Sequence, residues 1–329
     1  MFRLHGYARF LSDSDSHEAL LQRLIALCVD DLLQLDLATY DLVLMPTAYP
    51  VHLAALAEHL KTLPLPRLRI GLLMPPAFWA CDARAAQWLE ASVQQSLDAL
   101  RAMPGVALFG ESGQYRAGST VLALPTLLSP IADCTHDWIA AQVAQPSPEN
   151  ETIGRPLVFG FFGDPSPRKG FELLIHCVRG GLPTGARLVV ALPERHEGLS
   201  VSLDGCGPSV TAHALEAGNA PYLKAMQAVD VVLAFYDPAV YGTQMSGIVS
   251  EAIALGKPVL VAEGCDAILR FLEMHAPGAF MRLPADAGGL HRGLAAPWSA
   301  WQGHRRAARA AAAGVRELKR MRRWLAPVA

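Results

Sequence analysis

One stretch, Val229 to Glu263 (VDVVLAFYDPAVYGTQMSGIVSEAIALGKPVLVAE), restricts the fold more than any other part of the chain. Val231 to Phe235 is an uninterrupted apolar run of strand length, the pattern of a strand buried on both faces. A polar loop from Tyr236 to Met245 follows, and Ser246-Gly247 opens a short helix from Ile248 to Leu255. Gly256 ends that helix, and Pro258 to Val261 starts the next strand. This order specifies one unit of a parallel α/β sheet. A loop feeding a helix N-terminus at the carboxyl end of a buried strand is where such sheets bind anions. Glu251 is the only charge on the helix, one turn in. The pattern therefore sets a phosphate site beside a carboxylate able to accept from hydroxyl groups.

The same alternation runs along the chain. Helices are predicted over 17–35 (a stripe of Leu20, Leu21, Leu24, Ile25, Leu27, Cys28, Leu32 and Leu35), 52–63 and 82–103. Strands are predicted at Asp41–Met45, Arg69–Met74, Val106–Phe109 and Val121–Leu124, with prolines closing most elements. Residues 144–151 (AQPSPENE) are polar with two prolines and place a linker near 140–155. Beyond it, strands are expected at Pro156–Phe162, Arg187–Leu192, Ser209–His213, Val229–Phe235 and Pro258–Ala262, then a closing helix from Gly303 to Leu325. Alternation of this kind gives a parallel sheet with helices on both faces.

With 52% hydrophobic and 18% charged residues over 329 positions, there is material for two cores. A formal charge of −2 lacks the basic excess of a nucleic-acid binder. No apolar run is long enough for a transmembrane helix, and the N-terminus shows no signal peptide. The six cysteines contain no C-x-x-C pair, so reduced thiols, a cytoplasmic location and no zinc site are expected.

Asp230-Val231-Val232-Leu233, Ser246-Gly247, Glu251-Ala252 and Gly256-Lys257-Pro258-Val259 resemble the donor-binding segment of GT-B glycosyltransferases of the family 4 (group 1) type. Tyr236-Asp237-Pro238 and Tyr241 are similar to a bacterial subgroup of that family. The resemblance covers residues 155–265 well and the rest loosely. It implies an α/β GT-B fold with two Rossmann-like domains: an acceptor-side domain (1–145), a nucleotide-sugar domain (155–302) and a closing basic helix (303–329). Met1 to Asp15 contains no convincing opening strand, so the first domain is expected to be abbreviated, or the gene model to start late.

The turn Gly163-Asp164-Pro165-Ser166-Pro167-Arg168-Lys169-Gly170 joins a strand to a helix. A glycine turn with adjacent cations suits a diphosphate; the plainer reading is a solvated loop. The resemblance assigns Lys169 to the donor diphosphate. The family's arginine position falls on Asp164, leaving Arg168 as substitute. Glu251 resembles the carboxylate that accepts both ribose hydroxyls, against an ordinary exposed helix glutamate. The family's other glutamate, eight residues earlier, is replaced by Thr243, which retains a hydroxyl for a sugar contact. Gln244, Met245, Ser246 and Gly247 would offer backbone N–H groups to the phosphate, and Ser246 alternatively caps the helix. Ser209 to His213 corresponds loosely to a segment that meets the nucleobase, and Pro193-Glu194 could border it; strand-end loops are the alternative.

No catalytic constellation follows from spacing. His52, His17 and Glu111 are the weak candidates for facing a cleft. Retaining members of the family rely on the donor phosphate and the acceptor hydroxyl, so the protein contributes positioning and charge stabilisation. The resemblance implies no bound metal and no cofactor beyond the nucleoside-diphosphate sugar. The acceptor would be a saccharide or lipid-linked hydroxyl. The closing helix carries Arg305, Arg306, Arg309, Arg316, Lys319, Arg320, Arg322 and Arg323 against Glu317. It reads either as a solvated closing helix or as a peripheral contact with the inner face of the membrane. Two other readings stay open: a degenerate binding or scaffold module, supported by Thr243 and Asp164, and a nucleotide-sugar epimerase of the same architecture.

Overall fold

Parallel strands need a crossover between them, and each apolar run here is followed by a helix of crossover length. The computed structural model describes residues 17–45, 48, 50–62, 67–72, 83–110, 122–123, 141, 155–193, 203, 206–216, 219–242 and 244–318. The chain divides into two compact units near residue 130.

In the first unit the strands β1 (Val43–Met45), β2 (Leu68–Leu72), β3 (Val106–Gly110) and β4 (Leu122–Ala123) lie in the order of the chain, all parallel. Helices α1 (His17–Leu33), α2 (Pro50–Thr62) and α3 (Ala83–Arg101) pack in succession, α1 on α2 and α2 on α3. Val51, Leu56, Leu68, Ile70, Leu97 and Leu100 fill the core between helices and sheet.

The second unit is built on six parallel strands: β5 (Leu157–Phe162), β6 (Ala186–Pro193), β7 (Val210–Leu215), β8 (Val231–Ala234), β9 (Val259–Ala262) and β10 (Phe280–Leu283). Their order is β10-β9-β8-β5-β6-β7. The chain starts at β5, runs outward to β7, then returns to β8 and runs the other way. Right-handed crossovers in opposite directions lie on opposite faces. Accordingly α4 (Phe171–Arg179) covers one face, while α6 (Gly247–Ala254) and α7 (Asp266–His275) cover the other. Helix α5 (Asn219–Gln227) joins β7 to β8, and α8 (Ala287–Ala295) packs on α4. The final helix α9 (Trp298–Leu318) packs across α6, so its described part belongs to the second unit. It starts five residues earlier than the alanine-rich pattern indicated, directly after Pro297. Every residue of β8 and β9 is buried, as the unbroken apolar runs require. No described helix is long and apolar enough to cross a membrane.

The amino edge of this sheet is tightly paired. Asp230, buried just before β8, accepts two hydrogen bonds from Arg155 (2.7 and 2.6 Å) and one from the Val158 N–H (3.0 Å). Lys257, just before β9, donates to the carbonyls of Gln227 (2.5 Å) and Val229 (2.7 Å). Arg316 closes the C-terminal end of α6 by donating to the Ala254 carbonyl at 3.1 Å, where a cation also suits the helix dipole.

Candidate functional site

The order reversal lies between β5 and β8, and crevices at the carboxyl edge of such a reversal are where open α/β sheets bind ligands. Gly163 leaves β5 with φ +99°. A Cβ there would fall 2.5 Å from the Lys169 ammonium and 3.2 Å from Ile248 Cδ1, so only glycine leaves that space open. Gly170, at φ +67°, lies so close to the Phe235 carbonyl that a Cβ would overlap its oxygen. The Asp237 N–H donates to the Arg168 carbonyl at 3.0 Å. These contacts lay the loop 163–170 against the end of β8.

Lys169 occupies the centre of this loop cluster. Its ammonium lies 5.8 Å from the Tyr236 ring centroid, a cation–π distance. Burial lowers its pKa to about 8, with Arg168 acting in the same direction and Asp164 and Glu251 opposing. The Lys169 ammonium makes no hydrogen bond with the described residues. Burying an ammonium without such partners costs free energy, and an anion in the crevice would offset that cost.

Helix α6 points its N-terminus at the same place. Its first turn carries no acidic residue, and Gly247 is exposed. The first N–H groups of a helix have no intrahelical acceptor, and they carry the positive end of the dipole. Ser246 is the N-cap residue, in extended backbone (φ −113°, ψ 124°), but its side chain makes no capping hydrogen bond. This corrects the capping alternative. The hydroxyl instead approaches the Tyr236 hydroxyl at 3.5 Å, in a buried cluster where the Tyr236 and Tyr241 rings are 4.5 Å apart. Met245 and Gln244 are buried beneath the loop. Gln244 Oε1 and Ser166 Oγ are buried with no hydrogen-bond partner among the described residues.

Glu251 sits on α6 and is partly buried. Its Oε2 accepts a hydrogen bond from the Tyr222 hydroxyl at 2.7 Å, and its Oε1 lies 3.9 Å from where a Gly247 Cβ would stand. Tyr222 packs edge-on against Phe162, the last residue of β5, with centroids 5.8 Å apart. Burial and the neighbouring carboxylate push its pKa well up, so it stays a neutral donor.

Gly163, Arg168 and Lys169 follow β5, and Gln244, Met245, Ser246, Gly247 and Glu251 follow its neighbour β8, so all lie on the carboxyl side of the order reversal. His213 does not join them: it is exposed on β7, the edge strand, with β6 between it and β5. Thr243, Glu111 and Glu194 lie outside the described residues, and the side chains of His17 and Pro193 do too. His52 belongs to α2 of the first unit, where burial lowers its pKa to about 4 and keeps it neutral. Tyr222 was not legible in the sequence, because its partner is 29 residues away and no spacing rule links them.

No family model matches this chain, and no curated protein does. Solved structures do. The E. coli trehalose-6-phosphate structure bound with UDP-2-fluoro glucose aligns with a TM-score of 0.60 at 12% identity, covering 96% of this chain and 80% of that one. Sucrose-phosphate synthase from Thermosynechococcus elongatus aligns with a TM-score of 0.56 at 18% identity, covering 94% and 79%. HepE from Anabaena in complex with UDP-glucose aligns with a TM-score of 0.54 at 15% identity, covering 89% and 78%. The chain has the GT-B fold.

Proposed function

We propose that this protein is a glycosyltransferase that moves a sugar from a nucleoside diphosphate to an acceptor hydroxyl. One observation carries the reading. A desolvated lysine, an open helix N-terminus and a carboxylate converge at the strand-order reversal of the second unit. Two of the structural relatives hold UDP-glucose or its 2-fluoro analogue. Lys169 and Arg168 would hold the diphosphate with the N–H groups of Ser246 and its neighbours, and Glu251 the ribose. As the bond between the anomeric carbon and the diphosphate breaks, charge grows on the leaving phosphate beside Lys169. A cation and oriented N–H groups fixed in place beforehand stabilise it. The acceptor hydroxyl supplies the new bond, and its proton passes to the donor phosphate.

The finer reading is a family 4 type enzyme of glycan or polysaccharide assembly, metal-independent, in the cytoplasm. In it the first unit serves a saccharide or lipid-linked acceptor. Membrane contact through α9 would have to use the cationic side chains that packing leaves exposed. Arg305 stacks on Trp298 at 5.2 Å, Arg309 lies against Gly256 and Arg316 binds Ala254, leaving Arg306 exposed among the described arginines of α9. A second reading, a binding module that has lost catalysis, is favoured by Thr243 and Asp164, which stand where the family has a glutamate and an arginine. Calorimetry with UDP and GDP tests the donor site. Micromolar binding by the wild type, lost in Lys169→Ala and Glu251→Ala, is expected; binding untouched by either substitution would refute it. Sugar release from the bound donor then separates enzyme from binding module.

A further inference from the structure

We propose that Tyr236 is a positioning residue that holds the N-terminus of α6 open for an anion by keeping the Ser246 hydroxyl off it. The anion is the diphosphate of the donor reading above, on which this rests. Serine is among the strongest N-cap residues, because its hydroxyl accepts from an N–H in the first turn and satisfies it. Ser246 has the position and the extended backbone for that bond, and does not make it. Its side chain is buried, with the hydroxyl 3.5 Å from that of Tyr236. Asp286, at the start of α8, shows the ordinary outcome: it accepts from the Gly289 N–H at 2.6 Å.

Tyr236 is itself fixed. It is buried, its ring packs 4.5 Å from that of Tyr241, and its carbonyl accepts from the Cys265 thiol at 3.5 Å. The next residue, Asp237, ties it to the loop 163–170 through the Arg168 carbonyl. Two further groups at this place point to a ligand. The Lys169 ammonium lies 5.8 Å from the Tyr236 ring centroid, and a Cβ on Gly163 would meet both that ammonium and Ile248 on the first turn of α6. Gln244, only 5% exposed and two residues before Ser246, has its Oε1 buried with no hydrogen-bond partner among the described residues. The first N–H groups of α6 have no intrahelical acceptor. With Ser246 turned to Tyr236 they stay available to an anion beside Lys169. With Ser246 turned to the helix, one of them would be taken, and a ligand would have to displace the cap.

The test is a cycle of the wild type, Tyr236→Phe, Ser246→Ala and the double variant, each melted without ligand and titrated with UDP and GDP. Phenylalanine keeps the ring beside Lys169 and Tyr241 and removes only the hydroxyl. Ser246 is then free to cap. Ser246→Ala should therefore cost little in the wild type and about 2–4 °C of melting temperature in the Tyr236→Phe background. A merely structural pair of bonded hydroxyls couples with the opposite sign, since the second removal then costs less than the first. Tyr236→Phe should also weaken the better-bound nucleotide by roughly tenfold, and adding Ser246→Ala should recover most of that loss. Coupling of the opposite sign, or none, overturns the proposal whether or not a nucleotide binds. So does a nucleotide affinity that Tyr236→Phe leaves unchanged, or a loss that Ser246→Ala does not recover. If the wild type binds neither nucleotide, the donor reading fails and the diphosphate with it, while the sign of the melting cycle still decides whether Tyr236 holds the cap off.

Discussion

Lys257 and Lys169 sit at opposite edges of one parallel sheet, and both are lysines brought down to about 8 chiefly by burial. Their surroundings differ. Lys257 is satisfied by two backbone carbonyls and lies near Asp230, itself paired with Arg155. The Lys169 ammonium has Asp164 and Glu251 in its field but no hydrogen-bond acceptor among the described residues. The protein supplies the acceptors of one ammonium; among the described residues it supplies none for the other. A depressed lysine pKa alone marks neither role. What separates them is whether the protein supplies the acceptors.

The contrast is broken most sharply at the amino edge. Replacing Asp230 by Ala removes the carboxylate to which Arg155 and the Val158 N–H donate, and removal of one member of a buried pair typically costs 3–5 kcal/mol. Arg155 is 42% exposed and can rehydrate, so a loss of about 3 kcal/mol is expected. Denaturant melts of the variant measure it, and a change near zero would mean the pair adds nothing to this edge.

Next in size is the lysine pair itself. Lys257→Met strands two carbonyls but relieves the burial of a charge, so it should destabilise by about 2 kcal/mol. Nucleotide affinity of the folded protein should be unchanged. Lys169→Met removes the same charge and no hydrogen bond. Its stability should equal or exceed the wild type's, while affinity for a nucleoside diphosphate falls at least tenfold. Melts and titrations of the two variants should trade places. If both lose stability and both keep binding, the distinction between the edges fails.

Legibility in the sequence divides along the same line. The second unit's central strands were readable because burial on both faces forces continuous apolar runs, as in VVLA and VLVA. The edge strand β10, FMRL, is only partly buried and carries Arg282, so no periodicity announces it. Helix α5, NAPYLKAMQ, has little apolar stripe, and its key residue acts through a partner far along the chain. Glu251 and Lys169 stand out in the sequence because one is the only charge on an apolar helix and the other lies in a glycine turn after an apolar strand, while their roles rest on the resemblance. Tyr222 was not, because only the tertiary packing of Phe162 brings it there. The capping alternative for Ser246 fails because local rules cannot see the Tyr236 hydroxyl, ten residues away, that its side chain approaches instead.

The smallest effect expected, and the one that tests the open edge most directly, is on pH. Lys169 titrates in the folded protein at about 8, below its ordinary 10.5. Between these values the unfolded chain holds the proton and the folded one does not. Lys169 therefore makes stability rise with pH through that window. Affinity for a diphosphate must move the other way, since the ligand needs the ammonium. Below about pH 8 the charge is present. Above it, binding must take up a proton, and affinity should fall by up to about tenfold per pH unit. Bringing a phosphate beside the ammonium raises its pKa, so the fall levels off only where the complex itself titrates. Titrations from pH 7 to 9.5, in buffers of different ionisation enthalpy, would show the proton being taken up. Lys169→Met should bind weakly with a flat profile. The opposing stability trend should persist in that variant at reduced slope, because Lys257 titrates in the same window. A wild-type affinity that holds steady across pH 8 would mean the anion is held by the helix N-terminus alone, and Lys169 would then be as structural as its counterpart at the other edge.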